Sequence, residues 1–551
     1  MHQFYKHTLL VFIILLSNTL IAQITLGTIE YDSTAVDGYT LFNPNSTDTS
    51  YLIDNCGQII NTWKGSSRPG LSVYFLEDGT LLRTSRMSTG FYAIAGKGGL
   101  IEKLDWNGNL LWSYELCDAL NCQHHDIQPL PNGNILILAL EEKTDTEAIA
   151  EGRDPTRLNQ PRIWMEYVLE IMPIGLDSAA IVWEWHVIDH LVQDFDSTQN
   201  NYGVIADHCE LFDFNYGNKK PDWLHFNSVN YNPVLDQIII TSRNWSELYV
   251  IDHSTTTQEA ASHSGGNAGN GGDILFRWGN PITYQAGTAQ DQMLFGPHDP
   301  QWIPDSFVNE GKIIVFNNGD TRLFSTVDII IPPLDSTFNY IKPVGTAYGP
   351  MNLDWTFIQF DTAGFFSGRI SGAQPLPNGN ILACVGAQGK FIEVDTLKNI
   401  LWKYQSPVTN SGILGQGGTI TQGGNSVFRC TKYLPSYPGF SGQILSPGNT
   451  IESDGHLSYC SVSTSTKPVE TKKNTFKIYP NPTSSQLTIE LERMEKSADL
   501  SVFNALGQYY ARYPIHQTNR ISLDCFDWPV GVYFVKIKGL PCQKIIIQRQ
   551  Y

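Results

Sequence analysis

The chain has 551 residues, of which 41% are hydrophobic and 12% aromatic, enough apolar material for a large core and more than one domain. Its formal net charge of −18 gives a long-range field that repels nucleic acid and anionic membranes. We therefore exclude nucleic acid as a partner.

The first 22 residues have the pattern of a secretory signal peptide. Lys6 and His7 form a short basic start, residues 9–16 are apolar, and the small residue Ala22 precedes Gln23. No later segment has the roughly 18 continuous apolar residues of a membrane-spanning helix. The sequence therefore predicts an exported chain without a membrane span.

Residues 23–460 consist mainly of β-forming runs broken by Asn, Gly, Asp and Pro, with almost no helical periodicity. Five segments predict hairpins: VYFLEDGTLLRT, DIQPLPNGNILILAL, SVNYNPVLDQIIITS, DPQWIPDSFVNEGKIIVF and GAQPLPNGNILACV. Most are followed by a second strand pair, and a tryptophan lies near the end of each of six units: Trp63, Trp112, Trp183, Trp278, Trp355 and Trp402. This repetition predicts an all-β fold, a six-bladed β-propeller.

The two ends of this region each supply only part of a unit. The segment YLIDNCGQIINTWKG (51–65) lacks a partner hairpin, and the last unit ends at VFRCTKYLPSYPGF (427–440) without its second half. We expect the two ends to share one blade and close the ring. The longest insertion includes residues 253–272, whose Gly, Ser and Asn content predicts either a mobile loop over the mouth or a solvated loop without a role.

The C-terminal part of the chain has a different composition. Residues 461–475 predict a polar linker, and residues 476–551 predict a small β-sandwich of about seven short strands. The motifs YPNP (479–482), NALG (504–507) and GVY (531–533) resemble the C-terminal sorting domain of the Bacteroidetes type IX secretion system. This resemblance implies type IX secretion machinery as a partner, followed by release or attachment at the cell surface.

Nine cysteines are too few for a disulfide scaffold in a chain of this size, although an exported chain can form pairs. A bond between Cys117 and Cys122 would fix the loop that precedes two histidines. The other candidate pairs are Cys525 with Cys542, and Cys56 with Cys430, the second of which would staple the ring closure. For each pair, two buried free thiols are the alternative.

Polar side chains recur at one position of the predicted blades. Aligning the hairpins on their turns places His125, Asn227, His298 and Ser371 at the start of the innermost strand in four blades. Because these positions converge on the central channel of a propeller, we expect His125, Asn227 and His298 to face one another. His225 should share the strand face of Asn227, since side chains alternate with period 2.

Four further residues complete the candidate site or border it. Arg243 ends the strand paired with the one that begins near His225, and can therefore reach the same pocket. His124 should point away from His125 and take a supporting role. His186 and His190 lie in an inserted segment with helical character and are predicted to be packing or rim residues.

Imidazole, amide and guanidinium groups gathered in one channel suit an oxyanion such as sulfate or phosphate. A divalent cation held by the three histidines with Asp126 and Asp299 is an alternative. The sequence lacks the closely spaced HxH or HExxH ligand pattern, however, and we predict neither a metal nor a cofactor.

Three motifs together resemble the arylsulfotransferase family: HHDIQPLPNGN (124–134), DWLHFNSVNY (222–231) followed by IIITSRN (238–244), and FGPHDPQWIPD (295–305). The resemblance extends over roughly residues 35–440. It implies a six-bladed propeller enzyme that moves a sulfuryl group from a phenolic sulfate ester to a phenol, without a phosphoadenosine donor.

The same resemblance implies roles for individual residues. His298 corresponds to the nucleophilic histidine, which attacks sulfur and forms a sulfohistidine in ping-pong catalysis. His225, Asn227 and Arg243 correspond to the sulfate-binding strand pair, and His125, or its neighbour His124, to the remaining histidine. Activity should fall at acid pH as an imidazole with an ordinary pKa near 6.5 becomes protonated.

Two other functions fit the same fold. A surface binding or adhesion propeller would keep the channel without catalysis, although it has no need of the complete set of histidines and arginine. A sulfate-ester hydrolase would use the same set but pass the sulfuryl group to water.

Overall fold

The computed structural model describes residues 24–452, except 89–91, 93, 337–338, 343–344 and 360–363, and residues 476–549, except 505–508 and 538–542. The predicted signal peptide (1–22) and linker (461–475) lie outside the described residues. The domain boundaries at 22, 460 and 475 therefore stay predictions.

Six antiparallel sheets of four or five strands contain most of the strands described within residues 24–452. We number them 1 to 6 in chain order, and each strand order runs from the innermost strand outward. Sheet 1 contains Val427–Tyr433, Tyr39–Pro44, Thr49–Ile53 and Ile59–Lys64; sheet 2 contains Pro69–Phe75, Leu81–Arg86, Gly99–Leu104 and Leu110–Glu115; sheet 3 contains Asn121–Pro129, Ile135–Thr144, Arg162–Ile174 and Ser178–His186.

The remaining three sheets follow the same order of strands. Sheet 4 contains Phe226–Asn232, Gln237–Ser242, Glu247–Asp252 and Phe276–Trp278; sheet 5 contains His298–Trp302, Ile313–Asn317, Thr326–Ile330 and Trp355–Phe357; sheet 6 contains Gly372–Pro375, Ile381–Val385, Lys390–Val394 and Ile400–Gln405, with Gly27–Tyr31 as a fifth, outer strand. All five predicted hairpins are present.

Helices and short strand pairs lie in the connections. Among the described residues, the α-helices are Asp145–Ala150 and Thr257–Ala260, and the 3₁₀ helices are Pro155–Arg157, Val187–His190, Ile205–Asp207, Pro281–Tyr284, Gly386–Gln388 and Pro438–Phe440. Leu191–Val192 pairs with Phe212–Asp213, and Val408–Thr409 pairs with Gly412–Ile413. The helical character predicted around His186 and His190 is confirmed by the helix Val187–His190.

The innermost strands contact one another in a closed cycle, from sheet 1 through sheet 6 and back to sheet 1. The strand Val427–Tyr433 pairs with Tyr39–Pro44, which confirms that the two ends of the region share one sheet. A second closure was not predicted: Gly27–Tyr31 pairs with Ile400–Gln405 at the outer edge of sheet 6. The all-β propeller fold is thereby confirmed, and we interpret the six sheets as its six blades.

Each of the six tryptophans found in the sequence lies on the fourth strand of its sheet, and its indole N–H donates a hydrogen bond toward the following sheet. The acceptors, in order from Trp63 to Trp402, are the carbonyl oxygen of Asp105, that of Ser178, the hydroxyl of Thr255, and the carbonyl oxygens of Pro350, Thr396 and Asn55. An indole at this position buries apolar surface and gives its one donor a partner. The periodic tryptophan is therefore a contact between neighbouring sheets.

Hydrophobic clusters fill the spaces between neighbouring sheets. One cluster joins sheets 3 and 4 through Leu136, Val229 and Ile238, and another joins sheets 5 and 6 through Val327 and Ala383. Strands such as Ile135–Leu140 are buried along both faces because each sheet has a neighbour on either side. Such continuous apolar runs are typical of strands that are covered on both faces.

The insertion of residues 253–272 does not cover the ends of the innermost strands, in contrast to the predicted loop over the mouth. It packs against the outer strand of sheet 3 and the segment after it, where Trp185 Nε1 donates to the carbonyl of Gly272. Next to the insertion, the Ile274 amide donates to the carbonyl of Glu210. A role in selecting acceptors is therefore not supported by its position.

The described residues of the C-terminal part form one sheet of five strands: Phe476–Tyr479, Gln486–Asn504, Gly531–Ile537 and Gln543–Ile547 in that order, with Tyr509–Asp524 paired to Gln486–Asn504. Two of these strands are long, where about seven short ones were predicted. A register shift between Glu490 and Glu495 divides their pairing into two stretches, which accounts for most of the difference.

One of the three predicted disulfides is present. Cys117 and Cys122 are bonded, and Cys122 lies two residues before His124 in the innermost strand of sheet 3. The Cys56–Cys430 pairing is wrong because Cys430 is a buried free thiol, while Cys56 is disulfide-bonded elsewhere. The Cys525–Cys542 pairing is also wrong: Cys525 is free and buried, and Cys542 lies outside the described residues. Ring closure is held by strand pairing instead.

Candidate active site

Three histidines lie on or directly before adjacent innermost strands: His125 within Asn121–Pro129, His225 just before Phe226–Asn232, and His298 at the start of His298–Trp302. The rings of His125 and His225 meet edge to face with centroids 4.7 Å apart. Phe428, on the strand that closes the ring, lies 6.4 Å from His125 and 6.5 Å from His298 between ring centroids. All three imidazoles are buried. Residues far apart in sequence are thus gathered around one aromatic side chain.

The backbone is distorted where the histidines enter. His125, His225 and Asp299 have φ values of 51°, 56° and 57°, in the left-handed region that is costly for residues other than glycine. The pairing register of each of these strands also shifts nearby. Such bulges re-aim side chains, which is why simple alternation between the two faces fails at this end of the strands.

His298 is held in one tautomer by Asn318. The Asn318 amide nitrogen donates to the carbonyls of Ser367 and Ile370, both at 2.6 Å, which fixes its oxygen toward His298. That oxygen lies 2.8 Å from His298 Nδ1, with the carbonyl of Gly296 at 3.3 Å. Both partners only accept hydrogen bonds, so Nδ1 carries the proton. Nε2 is left as an unprotonated nitrogen, and no described residue pairs with it.

Burial keeps this imidazole neutral. Removal from water lowers the pKa of His298 to about 3, with the nearby Arg243 and His225 adding to the effect against the Asn318 hydrogen bond. The pKa of His125 is likewise lowered by burial and by the neighbouring His225, His124 and His298. The expected loss of activity near pH 6.5 through protonation of His298 is therefore corrected: this group stays neutral to much lower pH.

Stability should depend on pH in a way that identifies His298. The unfolded chain, with an imidazole pKa near 6.5, binds more protons than the folded chain between about pH 3 and 6.5, so stability falls as pH falls through that window. We expect the urea midpoint of His298→Gln to drop less than that of the wild-type chain between pH 7 and pH 4. Because other groups titrate in both proteins, the difference isolates His298, and equal drops would contradict its neutral burial.

His124 supports His125. It is wholly buried, its Nε2 donates to Glu166 Oε2 at 2.8 Å, and its Nδ1 lies 2.8 Å from His125 Nδ1. In the arrangement where Glu166 accepts from Nε2 and Nδ1 carries no proton, the His124 ring accepts from His125 Nδ1–H, which leaves His125 Nε2 as a lone pair. The His125 ring lies directly against Gly96, where an added Cβ would approach Nε2 to 2.4 Å. The geometry agrees with the supporting role predicted for His124.

The carboxylates of Asp222 and Asp320 contact the two remaining polar groups of the candidate site, the His225 imidazole and the Arg243 guanidinium. Asp222 Oδ2 accepts from His225 Nδ1 at 2.7 Å; burial alone would raise the pKa of Asp222, but the His225 imidazole keeps it below its ordinary value. Arg243 lies beside His225, because its backbone amide donates to the carbonyl of His225 at 3.1 Å, and its guanidinium forms an ion pair with Asp320 at 3.1 Å. About a third of the Arg243 side chain is exposed, so it can exchange Asp320 for an anionic ligand.

Asn227 is placed differently from the prediction of a direct sulfate contact. Its amide nitrogen donates to the carbonyl of Pro297 at 2.8 Å, and its oxygen accepts from the hydroxyls of Ser228 and Thr241. Asn227 is therefore anchored within the protein and holds the residue that precedes His298. Contact with sulfate stays a prediction, to which the structure adds this positioning role.

Arg429 bridges the two aspartates that follow His125 and His298. Its guanidinium lies 2.7 Å from Asp126 Oδ2 and 3.0 Å from Asp299 Oδ1. Each aspartate also accepts a backbone amide of the next sheet, from Val229 and Ala373 respectively. These matching contacts support the alignment of His125 with His298. Because both carboxylates are engaged by Arg429, their contacts do not support the metal alternative at this site.

Sequence reasoning missed the partners that fix the histidines. They are Glu166, Asp222, Asn318, Asp320, Phe428 and Arg429. One signal was accessible: the paired strands place Ser242 and Asn317 at equivalent positions, so Asn318 in sheet 5 corresponds to Arg243 in sheet 4. Aligning the second strand of each hairpin, in addition to the first, would have selected it.

The comparison with known families decides the assignment. The model described as Arylsulfotransferase (ASST) matches residues 27–411, well over half of the sequence. The chain belongs to the arylsulfotransferase family. Membership supports aryl sulfotransferase activity on phenolic substrates, and it agrees with the resemblance carried by the three motifs. No curated protein matches the sequence.

Solved structures similar to this arylsulfotransferase-family chain are remote. They include a protein of unknown function from Bacteroides caccae (12% identity, 72% of this chain and 98% of that chain covered, TM-score 0.38) and a putative 6-phosphogluconolactonase from Bacteroides fragilis (10%, 73% and 99%, 0.34). A periplasmic gluconolactonase from Pseudomonas aeruginosa covers 67% and 96% at 11% identity, with a TM-score of 0.34. At these TM-scores the similarity says nothing about activity.

A second family model, the secretion system C-terminal sorting domain, matches residues 477–548. This confirms the resemblance of the tail and indicates that this arylsulfotransferase-family protein is exported and secreted or displayed at the cell surface. Among the described residues, no helix has the length and apolar character needed to cross a membrane.

Proposed function

We propose that the protein transfers a sulfuryl group from a phenolic sulfate ester to a phenolic acceptor through a covalent sulfohistidine at His298. The observation that carries the proposal is the fixed tautomer of this residue. Its Nδ1 proton is committed to Asn318 and Gly296, and burial keeps the ring neutral. An imidazole held in this way presents a nucleophilic lone pair at Nε2 across the whole physiological pH range.

In the first half-reaction, Nε2 of His298 attacks the sulfur atom of the donor. The new N–S bond forms as the bond between sulfur and the aryl oxygen breaks, and the phenolate leaves with the bonding electron pair. By analogy with phosphoryl transfer, the transition state is loose, with negative charge on the peripheral and leaving oxygens. Catalysis then depends mainly on fixed positive groups around the sulfuryl oxygens.

Arg243 is the principal candidate for this electrostatic role. A sulfuryl group in the site would compete with Asp320, whose carboxylate lies 3.1 Å from the Arg243 guanidinium. It would replace one anionic partner of Arg243 by another. His225 is the second donor: when it carries both ring protons, its Nε2–H can contact a sulfuryl oxygen while Nδ1–H stays on Asp222. A planar guanidinium can also bind two oxygens at once.

In the second half-reaction, the acceptor phenol oxygen attacks sulfur and the N–S bond breaks, which restores neutral His298. The phenolic proton needs a base close to the same sulfur. His125 supplies one, because its contact with His124 and Glu166 leaves Nε2 unprotonated. Because the pKa of His125 is lowered, its protonated ring gives up the proton readily, either to solvent or to a departing phenolate.

Transfer can be separated from hydrolysis and from binding by one assay. The purified full-length chain is incubated with a chromogenic phenyl sulfate, with and without an excess of a second phenol. We expect phenolate release to be stimulated strongly by the acceptor, with formation of the acceptor sulfate in equal amount. Release that is independent of the acceptor would indicate a sulfate-ester hydrolase, and no release with several acceptors would favour a binding propeller.

A further inference from the structure

A second group of histidines lies at the outer edge of sheets 3 and 4, apart from the candidate active site. His190 ends the 3₁₀ helix Val187–His190, while His263 and Asp273 come from the long connection between the last two strands of sheet 4. The ligand atoms of these three side chains all lie within 4.8 Å of one another. Among the described residues, this is the only such group with metal-binding composition.

In this group, a ring nitrogen without a proton faces a carboxylate oxygen unless a proton or a metal ion lies between them. His190 Nε2 lies 2.8 Å from the carbonyl oxygen of Ala260, which can only accept, so Nε2 carries the proton. In the neutral ring, Nδ1 then presents a lone pair to Asp273 Oδ1 at 2.9 Å, and a carboxylate oxygen is also an acceptor. The same oxygen lies 2.7 Å from His263 Nδ1, which can donate to it in one neutral tautomer. The unbalanced pair is therefore His190 Nδ1 with Asp273 Oδ1, and a proton or a metal ion between them would satisfy both atoms.

The surroundings orient His190 as a ligand. Metal-bound histidines usually donate their second ring nitrogen to a carbonyl or carboxylate, which is the role of Ala260 here. Trp185 stacks on the His190 ring with centroids 5.6 Å apart and planes 10° apart. The His190 side chain is fully buried and that of Asp273 nearly so, whereas the His263 side chain is 62% exposed. Two ligands are therefore preorganised and the third can adjust.

We propose that His190 Nδ1, His263 Nδ1 and a carboxylate oxygen of Asp273 bind one Zn²⁺ ion. Two imidazoles and one carboxylate are ligands that Zn²⁺ accepts, with a fourth position for water. A tetrahedral Zn²⁺ separates its ligand atoms by about 3.3 Å. Rotation of the exposed His263 ring would lengthen its 2.7 Å contact with Asp273, and a small shift of the Asp273 carboxylate would lengthen its 2.9 Å contact with His190.

The open side of the site faces a surface cavity of about 680 Å³ lined by His263, Asp273, His208, Glu210 and Asp189 among others. The remaining coordination position is therefore accessible to water or to a small anionic ligand. In the protein, the ion joins the long insertion of sheet 4 to the edge of sheet 3. Since all three residues are remote from His298 in the fold, this site is independent of sulfuryl transfer.

The test uses the purified, tag-free full-length chain, stripped with a chelator and dialysed into metal-free buffer. Zn²⁺ is then titrated by calorimetry, bound metal is measured by elemental analysis, and thermal unfolding is followed with Zn²⁺ and with chelator. We expect one Zn²⁺ per chain and a higher unfolding temperature with the ion. His263→Ala should weaken binding at least tenfold. His208→Ala, which removes a neighbouring histidine of the same cavity, should bind as the wild-type chain does.

Asp273→Asn separates a metal site from a hydrogen-bonded cluster. Without a metal, an asparagine amide can donate to a ring nitrogen, and the unfolding temperature would stay near that of the wild-type chain in both buffers. With a metal, the variant should lose the stabilisation by Zn²⁺. The proposal is overturned if the stripped wild-type chain binds no Zn²⁺, if His263→Ala binds as tightly as wild type, or if Asp273→Asn keeps the full response. Turnover of phenyl sulfate, measured in parallel, reports on the other site alone.

Discussion

Replacing His298 by alanine is expected to lower kcat/KM for a phenyl sulfate donor by at least about 10⁴-fold, because the variant lacks the group that forms the covalent bond to sulfur. The side chain is buried among residues that the substitution leaves in place. The measurement is phenolate release at saturating acceptor, together with the circular dichroism spectrum to verify folding.

Intact-mass spectrometry gives a direct readout of the same prediction. With donor and no acceptor, the wild-type chain should gain one sulfuryl group, and peptide mapping should place it on His298. The His298→Ala chain should gain none. His208→Ala, at an exposed histidine distant from this cluster, serves as the control and should keep both turnover and the adduct. An adduct on another residue, or full turnover of His298→Ala, would exclude His298 as the nucleophile.

Arg243→Ala should have the second largest effect, a loss of about 10²–10³-fold in kcat, as is typical when one preorganised donor to a developing anionic charge is removed. Arg243→Lys should recover only part of this loss, since lysine keeps the charge but cannot bind two oxygens in one plane. Initial rates over a range of donor concentrations separate kcat from KM.

The partner of Arg243 provides a matched comparison. Asp320→Asn removes the carboxylate that lies 3.1 Å from the guanidinium and frees Arg243 for the donor. We expect this variant to bind the sulfate ester more tightly, with a lower KM, while Arg243→Ala/Asp320→Asn resembles Arg243→Ala. If Arg243→Ala retained wild-type kcat, the assignment of charge stabilisation to this residue would be wrong.

The fold was largely predictable from sequence because its signals are local and repeated. Hairpin turns and a tryptophan at the same place in each unit are patterns that short segments of sequence reveal. In the structure, the indole N–H of each such tryptophan donates a hydrogen bond toward the next sheet. The pairing of Val427–Tyr433 with Tyr39–Pro44 was predictable because each end of the region supplied only part of a unit. The strand Gly27–Tyr31 was not, since it adds to an already complete sheet.

The candidate site was predictable only in its first members. His125 and His298 share with Asn227 a register that alignment reveals, and His225 was found from its place beside Asn227. Glu166, Asp222 and Asp320 come from other strands and connections, where nothing in the sequence marks their targets. Protonation states also depend on burial and on these partners, which is why an ordinary imidazole pKa was a poor guide to His298. The wrong disulfide pairs have the same origin, since spacing along a chain does not determine which thiols meet.

The strand Val427–Tyr433 links the chemistry of the pocket to the integrity of the whole ring. It is the last strand of the region to be synthesised, yet it lies in the first sheet, and its Phe428 and Arg429 reach the histidines and the aspartates beside them. A chain that ends before residue 427 lacks the strand that closes the ring and also the side chains of Phe428 and Arg429 at the candidate site. The proposed sulfuryl transfer would therefore require a closed ring, and a partly assembled polypeptide would have no means of sulfating itself or its neighbours.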